Sequence, residues 1–448
     1  MTKHWKRSRI TKALTDAARA GSFKEAEARL NAVRVAVLLG LDQAATAAGQ
    51  AAALTAIATA RKCFGRVTLV SQADAPLIAA LPLGGTVHAA ARQLGGKVSR
   101  TAPARTTHAI IIGEVPCDAP WIIRCWWDRW LAGTRAREEA FGDSRLALAG
   151  VFAAALAMRQ IFACVLAAQS LRPRDATVSL WSPWETAASE NAGPKRFDVP
   201  NHLWFLGLGH LGQGFIWNLC FLGAKGGHAV AQDDQAIGEE NEATSLLVLP
   251  GKIGTKKARI AAGWLDAAGW TTDILERRHH GDIRLLPDDP PYLLSGLDRV
   301  EPRLVMARHG FDYMIDAGLG HGPHDFEGIQ LRVIAKGVSA DDLWEPPDDV
   351  IEDKLAERKS SAAYKDLEAR IGQCGVVSFA EASTSVPFVG AAAGALVIAQ
   401  AIRLASMNRA ARFLQMQMSA PEMVSVAGFT EQPTKNLGAV EVTLSDGL

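Results

Sequence analysis

The sequence has almost no net charge and few cysteines. Its 48 Lys and Arg balance 47 Asp and Glu, giving a formal net charge of +1. This excludes the basic excess of a protein that binds nucleic acid through bulk electrostatics. None of the six cysteines forms a CxxC pair, which excludes the common zinc signature and an evident disulfide framework, so we expect no structural zinc. We expect a reducing, cytoplasmic environment.

We also expect no membrane-spanning or secretory segment. The basic N-terminus, MTKHWKRSRITKALTDAARAG, is not followed by the apolar stretch of a signal peptide. The apolar segment LALAGVFAAALAMRQIFACVLAA has Arg159 and Gln160 at its middle. A second segment, VPFVGAAAGALVIAQAI, has only 17 residues, short of the roughly 20 that a span requires. We therefore predict two buried helices of a soluble core and no membrane association.

The chain does contain alternating strands and helices, at a composition of 48% hydrophobic and 21% charged residues that is ordinary for globular proteins. In the first half, short apolar runs predict buried strands, and an apolar helix closes the half. The predicted strands are 34–42, 66–74 and 107–115, and the helix is 151–167.

The second half repeats this order. Strands are predicted at 202–209, 226–234, 312–320 and 327–335, with a closing helix at 390–406. Alternation of this kind indicates parallel α/β units. We predict two related α/β domains, 1–175 and 201–448, joined by a linker at 176–200, that arose by internal duplication. When the two halves are aligned with each other, Gly40 corresponds to Gly207 and Asp42 corresponds to Gly209.

A glycine-rich turn, FLGLGHLGQG, follows the first strand of the second half. Gly207, Gly209 and Gly212 have the spacing of a nucleotide-binding turn that follows a strand and opens a helix. The helix N-terminus offers free N–H groups and a positive dipole end to phosphate. In the first half Asp42 prevents this close approach of backbone to phosphate, so we expect one nucleotide site per chain.

Charged residues downstream favour a triphosphate over a nicotinamide dinucleotide. Asp233 and Asp234 end the next strand, where an acid can bind ribose hydroxyls. Lysines at 252, 256 and 257 follow, and lysines near phosphates suit triphosphate chemistry. Asp298 ends a later apolar stretch and is a candidate Mg²⁺ ligand.

Two further motifs contain reactive side chains. Cys374 lies in a small-residue stretch, predicted as a loop, shortly before the closing helix, where its thiol could act as a nucleophile. The segment GHGPHDFEG gathers His321, His324 and Asp325, but its Gly and Pro content favours a polar turn over a metal site.

The order of these motifs resembles the adenylyltransferases that activate ubiquitin-like proteins, including the thiamine- and molybdopterin-biosynthesis type and the ubiquitin-activating enzymes. The resemblance covers 200–407 and, more loosely, 30–170. It implies two Rossmann-like adenylation domains, the first inactive and the second binding ATP and Mg²⁺. The residues that match the family's motifs are the glycine turn, Asp233 for ribose, Asn241, Lys257 for phosphate, Asp298 for metal, and Arg303.

Two positions depart from the family pattern. Gln235 stands where a second acid is expected, and Thr244 stands where the family has a phosphate-binding Arg. The stretch QCGVVSFAEASTSVPFVGAAAGALV resembles the catalytic-cysteine loop of the autophagy-type activating enzyme, which implies Cys374 as thioester nucleophile within a loop at about 341–386. In the family an arginine of the inactive half completes the site, and Arg7 and Arg9 are the candidates.

The resemblance implies that the chain adenylates the C-terminal glycine of a ubiquitin-like protein, forms a thioester on Cys374 and transfers it to a ubiquitin-conjugating carrier. It is similar to bacterial activating enzymes from conjugation operons linked to phage defence, and implies a pseudo-dimeric monomer. Three alternatives stay open. They are an adenylyltransferase without a thioester step, as in sulfur-carrier activation, a nicotinamide-dependent oxidoreductase, and a non-catalytic scaffold that binds the ubiquitin-like partner.

Overall fold

The computed structural model describes residues 6–187, 192–320, 325–339, 343–344, 361–431 and 437–444. In the first half, the strands are β1 Val35–Leu39, β2 Val67–Val70, β3 Lys97–Ser99, β4 His108–Ile112, β5 Ile122–Asp128, β6 Leu131–Arg135 and β7 Ala176–Ser179. The helices there are α1 Ser8–Thr15, α2 Phe23–Ala32, α3 Leu41–Ala44, α4 Ala47–Phe64, α5 Val87–Gln93 and α6 Ala147–Ala167.

The second half has more strands. They are β8 Arg196–Pro200, β9 His202–Leu206, β10 His228–Gln232, β11 Thr271–Leu275, β12 Tyr292–Ser295, β13 Tyr313–Leu319, β14 Gly328–Ala335, β15 Arg409–Gln417, β16 Ala420–Glu431 and β17 Ala439–Thr443. Its helices are α7 His210–Phe221, α8 Asn241–Thr244, α9 Lys257–Ala267, α10 Val300–Ala307, α11 Ala362–Ile371, α12 Gln373–Glu381 and α13 Pro387–Met407.

The two halves build sheets of the same order. The first sheet runs β3-β2-β1-β4-β5-β6-β7, and the second runs β11-β10-β9-β12-β13-β14-β15-β16. In each, the first five strands are parallel and the later ones antiparallel. The predicted α/β class with parallel sheets is confirmed. The shared strand order agrees with the proposed duplication, which stays a prediction.

Four helices pack against one another in a core that both halves share. In the first half these are α4 and α6, and in the second they are α7 and α13. Their apolar residues are buried all round the helix and belong to one hydrophobic cluster. A helix that is apolar on every face is expected in such an interior. Among the described residues, α6 and α13 are long and apolar enough to cross a membrane, and most of each is buried inside the protein.

Small residues let these helices approach closely. A Cβ on Gly214 of α7 would overlap the carbonyl oxygen of Gly390 in α13, and one on Gly394 would overlap the carbonyl of Gly214. In the first half, a Cβ on Gly150 of α6 would overlap the carbonyl of Ala48 in α4. The Ala- and Gly-rich composition of these segments is therefore a requirement of helix contact.

The segment expected as a linker contains regular structure. Strand β7 completes the first sheet at its antiparallel edge, and β8 pairs antiparallel with β17 near the C-terminal end of the described chain. The sequence reasoning overlooked both strands because they are short and lie among Pro and charged residues.

An indole–hydroxyl hydrogen bond also joins the halves. The Trp217 Nε1–H of α7 donates to Thr55 Oγ1 of α4 at 2.9 Å, and both side chains are buried. We predict that Thr55→Val lowers the free energy of unfolding by about 1–3 kcal/mol, because it leaves a buried indole N–H without an acceptor. Urea unfolding of the full chain measures this change.

Thr59→Val is the matched control, since Thr59 lies one turn further along α4 and is equally buried. Its hydroxyl donates only to carbonyls of its own helix, Thr55 O at 2.7 Å and Ala56 O at 3.3 Å. Its replacement should change stability by less than about 1 kcal/mol. Equal losses in the two variants would contradict a role for the inter-half bond.

Candidate functional site

Three glycines fix the turn between β9 and α7. Gly207 has a φ of +78°, which only glycine adopts without strain. A Cβ on Gly212 would overlap the carbonyl oxygen of Gly207, and one on Gly296, just after β12, would lie 2.8 Å from the Gly212 nitrogen. The backbones of the turn and of the next strand end therefore touch, and any side chain at these positions would push them apart.

Gly209 has a different role. A Cβ on Gly209 would meet no heavy atom within 4 Å, so the space above the turn is open. Gly209 is also the N-cap of α7 and supplies no side-chain cap. The first N–H groups of a helix have no intrahelical partner. An open approach to unpaired N–H groups at the positive end of a helix is the geometry that phosphate requires.

Asp233 ties the glycine turn to the end of β10. Its Oδ2 accepts a hydrogen bond from the Leu208 N–H at 2.8 Å, and its Oδ1 accepts one from the Gln235 N–H at 2.8 Å. Burial raises the pKa of this carboxyl, against the opposing effects of Lys257 and the two N–H donors. Each carboxylate oxygen has a second lone pair, so the side chain can still accept from a hydroxyl.

Lys257 is buried at the start of α9, with only 6% of its surface exposed. Its Nζ donates to Gln235 Oε1 at 2.6 Å. Gln235 is the residue that departs from the expected acid, so the partner of this ammonium is a neutral amide. The charge of Lys257 is therefore not cancelled by a contacting carboxylate at this position. The Nζ of Lys256 donates to the Asp234 carbonyl at 2.6 Å.

Asn241 and Thr244 both lie in the short helix α8. The Oδ1 of Asn241 accepts a hydrogen bond from the Gly238 N–H at 2.9 Å. Thr244 is buried, and its hydroxyl donates to the Glu240 carbonyl at 3.0 Å. Thr244 therefore does not extend towards a ligand, and it does not substitute for the arginine that the resemblance implies.

Asp298 lies exposed in the loop after β12, at the same sheet edge as the glycine turn. Arg303 does not extend into the open space beside it. Its Nη2 donates to the Leu297 carbonyl at 2.6 Å and to the Ala317 carbonyl at 3.3 Å, and its Nε lies 3.3 Å from Asp316 Oδ1. The described contacts of Arg303 thus hold the Asp298 loop against β13.

Asp316 is a site residue that the sequence reasoning overlooked. It is fully buried in β13, and its Oδ1 accepts a hydrogen bond from the Ser295 hydroxyl at 2.8 Å. Together with Arg303 it forms a buried polar cluster beneath the loop. A single acid inside the apolar run YMIDAGL was the available signal, because buried carboxylates require partners.

The two candidate arginines lie in different surroundings. Arg9 donates from Nη1 to the Ser383 carbonyl at 3.0 Å. Burial lowers the pKa of Arg9, and the nearby carboxylates of Glu240 and Asp298 oppose this shift. The N-terminal helix α1 therefore brings a cation close to Asp298 of the second half.

Arg7 remains within the first half. It donates to the Cys63 carbonyl at 3.2 Å and to Asn31 Oδ1 at 2.6 Å, and it pairs with Glu27. Of the two candidates, only Arg9 is close to predicted site residues.

Cys374 is the second residue of helix α12, where the sequence had predicted a loop. Its side chain lies outside the described residues, as does most of the predicted loop before residue 361. Gly372 has a positive φ of +74°, which ends helix α11 before helix α12 begins. The small residues that suggested a loop instead form one short helix after Gly372.

Helix α12 is anchored to the N-terminal helix. Lys12 is fully buried, and its Nζ donates to the carbonyls of Phe379 at 3.0 Å and Ala380 at 3.2 Å, and to the Tyr364 hydroxyl at 2.8 Å. An ammonium at the last carbonyls of a helix is favoured by the helix dipole. Lys12 thereby holds the cysteine-bearing helix against the same α1 that carries Arg9.

The corresponding turn of the first half is filled. A Cβ on Gly113 would lie 2.6 Å from Asp42 Oδ1, so this carboxylate occupies the space beside the turn. The following long helix, α4, begins only at Ala47, after the short helix α3. Both differences agree with the expectation that the first half does not bind phosphate in this way.

The structure contains no group of three or more metal-binding side chains among the described residues. His321 and His324 lie outside these residues. Asp325 Oδ2 accepts a hydrogen bond from Gln417 Nε2 at 2.6 Å. A metal at the glycine-turn site would therefore depend on one carboxylate, Asp298, together with oxygens of the ligand itself.

Both halves of the chain match models of known protein families. Residues 34–180 match the model of the BilD N-terminal domain, and 199–408 match that of the BilD C-terminal domain. The bacterial E1-like protein BilD of Collimonas sp. (strain OK412) is 29% identical over 419 residues, which are 91% of this chain and 90% of that protein. The chain is thus similar to BilD-type bacterial E1-like proteins over nearly its whole length.

Solved structures of E. coli MccB are more distant. The crystal structure of MccB is 13% identical, with a TM-score of 0.33, over 53% of this chain and 64% of MccB, which is less than two thirds of its length. The crystal structure of MccB with ATP is 12% identical, with a TM-score of 0.35, over 53% of this chain and 66% of MccB.

The contrast between Gly209 and Gly212 gives a direct test of the turn. We predict that Gly209→Ala changes the free energy of unfolding by less than about 0.5 kcal/mol, because its Cβ enters open space, yet weakens ATP binding. Gly212→Ala should destabilise the chain by about 1–3 kcal/mol, because its Cβ overlaps backbone. Denaturant unfolding and calorimetric titration with ATP measure both effects. Unaltered ATP affinity in Gly209→Ala would contradict phosphate binding at this turn.

Proposed function

We propose that this chain is an activating enzyme for a ubiquitin-like protein. It adenylates the C-terminal glycine of that protein with ATP, then forms a thioester on Cys374 and passes it to a ubiquitin-conjugating carrier. The single observation that carries the proposal is the open glycine turn at Gly209, flanked by Lys257, Asp233 and Asp298. The similarity to E1-like proteins over both halves supports it.

The residues around the turn are suited to ATP as substrate. The N–H groups at the start of α7 can hold phosphate oxygens, and Lys257 can exchange its neutral amide partner for a phosphate. Asp233 retains lone pairs for ribose hydroxyls while it braces the turn. Asn241 contributes a polar side chain at the entrance of α8.

Asp298 would hold Mg²⁺ on the exposed loop after β12. The fit is reasonable, because Mg²⁺ commonly binds one or two carboxylates and completes its shell with water and substrate phosphates. When bound, the ion would neutralise negative charge on the phosphates. The chain's own contribution is Arg303 and Asp316, which hold the loop in place.

The first reaction transfers an adenylyl group. A carboxylate oxygen of the ubiquitin-like protein attacks the α-phosphorus of ATP, an O–P bond forms, and the bond to pyrophosphate breaks. No side chain needs to gain or lose a proton in this step. The protein acts by positioning and by electrostatic stabilisation, which Lys257 and Arg9 supply. Arg9 would approach from the first half, beside Asp298.

The second reaction forms the thioester. The Cys374 thiolate attacks the acyl carbon of the adenylate, a C–S bond forms, and AMP leaves with the electrons of the broken C–O bond. The thiol proton is released to solvent. A thiolate is required because the neutral thiol is a weak nucleophile. A conjugation system of this type would act in the bacterial cytoplasm, and antiphage defence is its proposed setting.

The two reactions can be separated by substitution. We predict that Cys374→Ala retains ATP–pyrophosphate exchange within about twofold in the presence of the ubiquitin-like partner, because the carboxylate is the nucleophile in that step. The same variant should lose the thiol-sensitive adduct with the partner on a non-reducing gel. Asp298→Ala should reduce exchange by at least about 100-fold.

Each outcome has a distinct meaning. An adduct of equal strength in wild type and Cys374→Ala would assign the nucleophile to another cysteine. Exchange without any adduct in wild type would favour the adenylyltransferase without a thioester step. NAD(P)H binding without exchange would favour an oxidoreductase, and partner binding without exchange would favour a scaffold.

Two arginines of the N-terminal segment provide a second test. We predict that Arg9→Gln reduces exchange by about tenfold or more, because a cation near Asp298 is lost. Arg19→Gln is the control, since this arginine is exposed just beyond the C-terminal end of α1. Exchange rates at saturating ATP and partner measure the difference. Equal loss in both variants would contradict a specific role for Arg9.

A further inference from the structure

A cavity lies where the N-terminal segment meets the C-terminal end of α4, remote from the glycine turn in sequence. Its volume is about 210 Å³, whereas a single water needs about 10–15 Å³ on this scale. The cavity is therefore large enough for a polyatomic ligand. It is lined by Lys6, Arg7, Asn31, Arg61, Lys62, Phe64, Gly65 and Arg66.

The lining is strongly cationic. Five of its side chains are Lys or Arg, and two carboxylates pair with them, Glu242 with Lys6 and Glu27 with Arg7. The C-terminus of α4 adds only about half of a negative charge. Three of the five cationic side chains, Arg61, Lys62 and Arg66, therefore have no carboxylate partner within salt-bridge distance among the described residues.

Lys62 is the buried member of this cationic lining. It is 8% exposed, and its Nζ donates to the carbonyls of Glu242 and Val248, both at 2.8 Å. These partners are neutral, and an ammonium has three donors, so one donor remains. The pKa of Lys62 is lowered to about 7, mainly by burial and with smaller contributions from Lys6 and Arg61, against the opposing effects of Glu242 and Cys63. An anion in the cavity would relieve this repulsion.

We propose that this cavity is a binding site for a phosphate-type anion, such as free pyrophosphate or the phosphate of a nucleotide, distinct from the glycine-turn site. Guanidinium groups of Arg7, Arg61 and Arg66 suit tetrahedral oxyanions, because each offers several N–H donors in a fixed plane. No residue that lines the cavity belongs to the glycine turn or to α9.

The site is connected to the second half through α8. Lys62 of α4 holds the carbonyls of Glu242 and Val248 across the boundary between the halves, and Lys6 pairs with the Glu242 side chain. An anion would compete with Glu242 for Lys6. Occupancy of the cavity would therefore act on the segment that contains Asn241, without contact with substrate.

Calorimetric titration with inorganic pyrophosphate tests the proposal. The full chain carries Lys257→Met in every sample, so that the phosphate lysine of the glycine turn is absent. We expect Arg66→Gln to weaken pyrophosphate binding by about tenfold, as expected for loss of a charge-assisted contact. Arg105→Gln, an exposed arginine of the loop before β4, is the matched control and should have no effect.

A pH series with sulfate gives an independent measurement, because sulfate does not titrate in this range. Binding should weaken as the pH rises above 7, by up to about tenfold per unit, since the neutral Lys62 must take up a proton on binding. In Lys62→Met this slope should vanish. If Lys62→Met does not fold, the pyrophosphate affinities of Arg66→Gln and Arg105→Gln still test the site.

Titration with orthophosphate, pyrophosphate and AMP distinguishes a free anion from the phosphate of a nucleotide as the ligand. Tightest binding of pyrophosphate or orthophosphate supports a free anion, and tightest binding of AMP supports a nucleotide phosphate. Equal pyrophosphate affinities in Arg66→Gln and Arg105→Gln would overturn the site. Binding of a poly-aspartate peptide without pyrophosphate binding would also overturn it, in favour of a protein partner.

Discussion

Close contact between helices at the centre of the molecule determines where everything else lies. The carbonyls of Gly214 and Gly390 leave no room for a side chain where α7 meets α13, and Ala48 and Gly150 make a similar contact between α4 and α6. Because α7 begins at the glycine turn, the position of that turn is set by the core and not by a flexible loop. The base of the site is therefore part of the packed core, and α8, α12 and the N-terminal helix lie around it.

Much of the fold follows from the sequence because parallel strands between helices are buried on both faces. The centres of β1, β2, β4, β9, β10, β13 and β14 were predicted from apolar runs, and their predicted ends lay up to four residues beyond the observed ones. The edge strands β3 and β11 were overlooked because they are partly exposed and lack an apolar run. The antiparallel strands β15 and β17, after the closing helix of the second half, were overlooked because more and less exposed side chains alternate along much of each strand.

The glycine turn of the site was also predictable, because its spacing is local in sequence. The partners of its side chains were not, since they depend on contacts across the sheet edge. Asp233 was expected to face a ribose, and only the fold reveals that its two oxygens accept the N–H groups of Leu208 and Gln235. Arg303 was expected at the nucleotide, and only the fold reveals its contacts with Asp316 and the Leu297 carbonyl. Lys257 illustrates the same limit, because only the fold reveals that Gln235, a neutral residue, is its partner.

The spacing of Arg9 and Lys12 on α1 has a consequence for how this helix can evolve. The two side chains are three residues apart, and they extend to Ser383 and to the end of α12 respectively. A single residue inserted between them would rotate one by about 100° and shift it by about 1.5 Å relative to the other. One of the two contacts would then be lost whichever way the helix settled. A change of length between Arg9 and Lys12 is therefore not tolerated.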